Sequence, residues 1–345
     1  MPTHSIFNHL PHDPRSQRGF TLIELMISLV IGLLLSAAIV KIYADTSQIY
    51  RFQSAVSEVQ ENGRFASTFL RRAARLAGNF GCDASKPISG STLSDAEATN
   101  LQFFNGAPPQ PAQPIGGTEG GGINSDELIL RGTTGGGVRL EETPASPTAA
   151  LTVEATSGLG SRSPSFAVIS DCNTTHIFKI TDVADGAVSD TITHTGTTQA
   201  YTTENGARVQ EVEVVRYCIG AAVAGGDIQA LKRLINPGAG QTCPINGEEL
   251  VEGIQNMQVR YGVDNSGDGF ANRYVTAPAA GHADWALVTT LRIELLVRSL
   301  ANGITSAAVP YTLGGTETTP AAGDRHLYKV MTNTITLRNS CEPNC

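Results

Sequence analysis

Arg18-Gly19-Phe20-Thr21-Leu22-Ile23-Glu24-Leu25 joins a polar, weakly basic head to a long apolar run. From residue 20 to residue 40 the side chains are almost all apolar or small, and Glu24 is the one charge among them. Those 21 residues match the length a helix needs to cross a bilayer core, about 20 residues. A carboxylate inside lipid costs roughly 3 kcal/mol on insertion scales. A membrane anchor with no other task would avoid that cost, so the sequence predicts a partner for Glu24.

Gly-Phe-Thr-Leu-Ile-Glu, from Gly19 to Glu24, resembles the processing site of type IV pilins and of the pseudopilins of type II secretion. The resemblance implies a prepilin peptidase that cuts between Gly19 and Phe20 and N-methylates the new Phe20 terminus. Residues 1–19 are then a leader. They are unlike an ordinary secretory signal, because the apolar segment follows the implied cut and no small-x-small site closes it. The freed Phe20 amine stays cationic after methylation. A carboxylate one helical turn away, or on a neighbouring subunit, neutralises it and offsets part of the desolvation cost. Such a buried pair also sets axial register between subunits.

Beyond residue 40 the apolar run turns amphipathic. Ile42, Ile49, Phe52, Val56, Val59, Phe69, Ala73 and Leu76 recur at three- and four-residue steps, and no proline lies between residues 20 and 86. The pattern predicts a continuous helix over 20–77, with Gly32 and Gly63 as its weak points and Gly78 and Gly81 as its stop. Residues 78–345 read as a β-rich body. The predicted strands are 166–170, 175–180, 209–218, 228–234, 250–263, 286–300 and 330–337. Leu291, Ile293, Leu295 and Val297 alternate with Arg292, Glu294, Leu296 and Arg298, as in a sheet with one mostly buried face. Long Gly-, Pro- and Thr-rich stretches at 105–125, 133–148 and 301–324 read as loops. The expected fold class is α+β: a long N-terminal helical stalk, transmembrane in its first half, then a β-rich, pilin-like globular domain.

Resemblance narrows within the body. Gln60 to Ala66 is similar to the stalk of PilW-type minor pilins. Leu250 to Ile254 and Met257 to Asp264 are similar to that family's central block, and Trp285 with Leu291 to Ser299 to its terminal strand. The family implies a low-abundance pilus subunit that helps start assembly beside other minor pilins, the major pilin and a tip adhesin. It implies an inner-membrane, single-pass precursor with a periplasmic domain, later part of the fibre at the cell surface.

The chain carries a formal charge of -8, and -9 once residues 1–19 with Arg15, Arg18 and Asp13 are removed. An acidic body argues against general nucleic-acid binding, since phosphate contacts need clustered Lys and Arg. One cluster exists, at Arg64, Arg71, Arg72 and Arg75, and reads as a solvated or interface face of the helix. Six cysteines in an exported body suggest up to three disulfides, with 15 pairings open. Local logic favours Cys82–Cys172, Cys218–Cys243 and Cys341–Cys345. Asp264-Asn265-Ser266-Gly267-Asp268-Gly269 resembles the start of a calcium loop, with Asp264, Ser266 and Asp268 as ligands, yet Val275 stands where an EF-hand needs Glu. A hairpin turn is the favoured reading and a structural calcium the other; no further cofactor is expected. His176, His194, His282 and His326 show no catalytic or metal spacing, and Trp285 reads as core, so no enzyme is expected. A type II secretion pseudopilin and a tip adhesin are the competing functional readings.

Overall fold

A computed structural model describes residues 19–81, 88, 90–94, 97, 114–120, 124–155, 159–160, 165–171, 173–225, 227–238, 240–278 and 283–339. The chain divides into two compact units, 1–53 and 54–345. Helix α1, Leu22–Leu76, supplies residues to both.

In the first unit residues 19–46 are all exposed, and among the described residues none packs against them. The segment is long and apolar enough to cross a membrane. In the second unit α1 has a buried face built from Ala55, Val59, Gly63, Ala66, Ser67, Leu70 and Ala74. Their three- and four-residue spacing puts them on one side of the helix. Most are small, so the helix lies close to what it covers. Gly63 is no weak point: a Cβ there would sit 2.2 Å from Met331 Sδ and 3.1 Å from Val297 Cγ2. The helix ends where Gly78 takes a left-handed φ of +84° and donates its N–H to Arg131 O at 2.8 Å.

The strands follow in chain order. Strands β1 (Gly90–Ser91), β2 (Ile115–Thr118), β3 (Glu127–Arg139), β4 (Leu151–Glu154), β5 (Ser165–Ser170) and β6 (Thr175–Ala184) come first. Then come β7 (Ser189–His194), β8 (Arg208–Ala221) and β9 (Gln229–Ile235), a short helix α2 (Cys243–Asn246), and β10 (Glu248–Glu252). The last part holds β11 (Ile254–Val263), β12 (Arg273–Val275), β13 (Val288–Arg298), β14 (Tyr311–Leu313), β15 (Thr316–Thr318) and β16 (Tyr328–Thr336). Among the described residues ten strands form one sheet, ordered β10-β9-β8-β5-β6-β7-β4, with β3 along the other edge of β8, β2 on β3 and β1 parallel to β6. A second, antiparallel sheet runs β12-β11-β13-β16, and β14-β15 is a separate hairpin. The main core lies between α1 and this second sheet, where Val59, Ala66 and Leu70 meet Met257, Val259, Ile293, Leu295 and Ile335.

Three expected features differ from what is found. The single strand expected over 250–263 is two strands in different sheets, because Gly253 takes a φ of +78° and turns the chain from β10 into β11. The loop expected over 133–148 begins as strand: β3 keeps pairing with β8 as far as Arg139, and its run of glycines is absorbed in a register shift between Thr134 and Val138. The loops expected over 105–125 and 301–324 contain β2 and the β14-β15 hairpin. Pairing with a neighbour, rather than β-branched content, makes strands of these Gly- and Thr-rich segments.

Candidate processing and assembly site

The Gly19–Phe20 junction precedes the helix. Residues 19–21 are non-helical, and Phe20 is 83% exposed. Thr21 begins α1. Its carbonyl accepts the Leu25 N–H at 3.1 Å, and its Oγ1 accepts the Glu24 N–H at 3.3 Å. Thr21 is therefore the N-cap and Glu24 the third helical position, the T-x-x-E arrangement of a capping box. Glu24 also lies in the first turn, where the positive end of the helix macrodipole favours a carboxylate. The same acid stands four residues after Phe20, which lies outside the helix. Sequence reasoning missed the Thr21 cap, although the T-x-x-E spacing ahead of an apolar run is its signal.

In the body, Cys218 on β8 and Cys243 at the start of α2 are joined in a disulfide with Cα atoms 6.0 Å apart. It clamps α2 onto β8, where a Cβ at Gly220 would stand 2.5 Å from Pro244 O. Cys82, Cys172, Cys341 and Cys345 lie outside the described residues, as do residues 1–18 of the implied leader and His282.

The Asp264–Gly269 segment opens the β11-β12 hairpin, closed by the Val263–Arg273 pair. Asp264 is buried, at 2% exposure. Its Oδ1 accepts the N–H groups of Ser266 at 2.9 Å and Gly267 at 2.8 Å and the Ser266 hydroxyl at 3.0 Å, while Oδ2 accepts the Gly269 N–H at 2.7 Å. Burial pushes this carboxyl up, but the N–H donors of Gly267 and Gly269 outweigh it and hold Asp264 below the ordinary carboxylate range. Asp268 accepts the Phe270 N–H at 2.9 Å, and Ser266 Oγ lies 3.3 Å from Asn272 Oδ1. The three candidate calcium ligands are thus engaged within the turn itself. Among the described residues no group of three His, Cys, Asp or Glu side chains is placed to hold a metal.

Two further acids tie neighbouring segments together. Asp126 accepts the N–H of Gly120 at 2.9 Å and of Val259 at 2.8 Å, tying the β2-β3 turn to β11. Asp324 holds His326 Nδ1 and the Tyr328 hydroxyl, each at 2.7 Å. Trp285 is 5% exposed and packs edge-on against Tyr261, ring centroids 4.8 Å apart.

An exposed apolar helix that opens on a T-x-x-E cap, preceded by Gly-Phe and followed by a sheet-rich body, defines the class of type IV pilin-like proteins. Residues 14–40 match the model of the prokaryotic N-terminal methylation motif, and residues 216–339 match that of PilW, type IV pilus-assembly protein W. These two matches support a type IV pilin whose residues 216–339 form a PilW region. A type IV-like pilin from Thermus thermophilus aligns over 82% of this chain and 96% of its own, at 12% identity and a TM-score of 0.32. No curated protein matches.

Proposed function

We propose that the chain is a minor, low-abundance subunit that helps initiate type IV pilus assembly, in a tip complex with other minor pilins. The observation that carries this reading is the lone acid at the third position of α1, within the apolar stretch 20–40 whose residues are all exposed. Prepilin peptidase cuts between Gly19 and Phe20 in the inner membrane and methylates Phe20. The mature protein waits there as a single-pass subunit with a periplasmic body. Assembly moves the apolar half of α1 from lipid into a bundle of helices. Lipid tails are as apolar as the helix, so burial alone gives little driving force; packing and the pairing of Glu24 with a Phe20 amine favour the bundle. The body then meets other minor pilins, the major pilin and a tip adhesin through its own surface. Its role is mechanical, not enzymatic.

Glu24→Ala is expected to leave the protein processed and membrane-bound but to reduce its incorporation into sheared pili by about tenfold, the loss of one paired buried charge. Incorporation equal to the parent would contradict the pairing. A pseudopilin shares the cleavage motif; loss of twitching motility with intact exoprotein secretion on gene deletion supports the pilus assignment, and the reverse pattern supports secretion.

A further inference from the structure

The outer side of α1 in the second unit carries two parallel rows. Arg64, Thr68, Arg71 and Arg75 follow at steps of four, three and four residues, and all are exposed. Phe65, Phe69, Arg72 and Leu76 form the adjoining row one residue on; Phe65, Phe69 and Leu76 are 45%, 43% and 59% exposed. These spacings hold each row on one face over about 17 Å of helix. Both rows lie opposite the buried face of Val59, Gly63, Ala66 and Leu70. Among the described residues none of the four arginines makes an ion pair. Residues 54–76 contain two acids, and one of them, Glu58, already accepts the Leu300 N–H at 3.0 Å.

We propose that this basic, aromatic face of α1 docks an acidic face of a different pilin subunit. The proposal rests on the pilin reading above and adds the chemistry of the partner. Exposed phenylalanine rims beside a guanidinium row fit a neighbour whose apolar ridge is flanked by carboxylates. A second copy of this chain would bring arginine against arginine, which excludes self-pairing along this face. Nucleic acid fits less well: the chain is acidic overall, and the Arg64 guanidinium lies 5.6 Å from the Phe65 ring centroid, over the face on which a base would stack. An aromatic covered in this way is set for contact at its edge.

The test places a photo-crosslinking residue at Thr68 of the full chain in pilus-producing cells and identifies the adduct by mass spectrometry. The expected adduct is with an acidic segment of another pilin. Reversing charge with Arg71→Glu and Arg75→Glu should lower its yield about tenfold, while Arg71→Lys and Arg75→Lys keep it within about twofold. An adduct with a second copy, lipid or DNA overturns the proposal, as does no adduct or a yield indifferent to charge reversal. Phe20 methylation and fibre incorporation are read on the same samples. If both are normal and the adduct ignores charge, this inference alone fails; if both are absent, the pilin reading fails and takes this inference with it.

Discussion

Gly63 shows how far a single residue's meaning depends on what faces it. In the sequence it is a helix weak point, worth about 1 kcal/mol less than alanine. In the fold it is the place where α1 comes nearest to the second sheet, against Met331 and Val297. Gly63→Ala gains helix propensity and loses it again to the Met331 contact, so its melting temperature should change little. Gly63→Leu has nowhere to go and is expected to destabilise the protein by about 3 kcal/mol, measured by denaturant unfolding of the detergent-solubilised chain. Parent-like stability of Gly63→Leu would contradict the close packing. The glycine itself is plain in the sequence; its neighbours, more than 230 residues away, are not.

His176 makes a second residue-scale prediction. It is 1% exposed, and burial, with the nearby charge of His194, lowers its pKa to about 4. The folded protein keeps it neutral while the unfolded chain takes a proton below about pH 6.5. Its contribution to stability is therefore full above about pH 6.5 and declines as pH falls toward 4. His176→Gln should flatten that part of the melting-temperature profile. An equally steep profile in the variant would assign the effect elsewhere.

At the scale of elements, what the sequence made legible was whatever follows a period. The three- and four-residue recurrence after residue 40 corresponds to the helix α1 but not to its buried face: Ile42, Ile49, Phe52, Phe69 and Leu76 are exposed, while Ala55, Gly63, Ala66, Leu70 and Ala74 join Val59 in the core. The alternation at Leu291, Ile293, Leu295 and Val297 corresponds to the buried face of β13. What escaped was set by distant pairing: the glycines of β3 lie in a strand because β8 runs beside them. The Cys218–Cys243 link belongs to the legible part, since both cysteines bracket the β8-β9 hairpin; a bridge of this kind contributes about 3 kcal/mol. The Asp264 hairpin reads either as a turn or as half a calcium loop in sequence, and only geometry shows the carboxylate already filled by N–H donors. We therefore expect a chelator to leave the melting temperature unchanged. A fall on chelation, restored by calcium, would make the loop a cation site. Because Asp264 is held below the ordinary carboxylate range, the loop's stabilisation should be complete above about pH 3.9 and be lost as pH drops through the lower folded value.

At the scale of the whole molecule, the two units differ in what they expose. The first presents an apolar helix with one acid to whatever surrounds it. The second buries its own half of α1 against a sheet and leaves a basic outer face. The N-terminal methylation motif and a helix long and apolar enough to cross a membrane were legible because both are local features of sequence. The basic face of α1 was only partly legible: its arginines form a visible cluster, but that they stand clear of the sheet depends on which side of α1 the core takes. The proposed pairing depends on processing, because the Phe20 amine is free only once the chain is cut. Intact mass and N-terminal fragment spectra of the protein from pilus-producing cells test this directly. They should begin at N-methylated Phe20, and recovery of the protein still beginning at Met1, in cells whose prepilin peptidase is active, would contradict it.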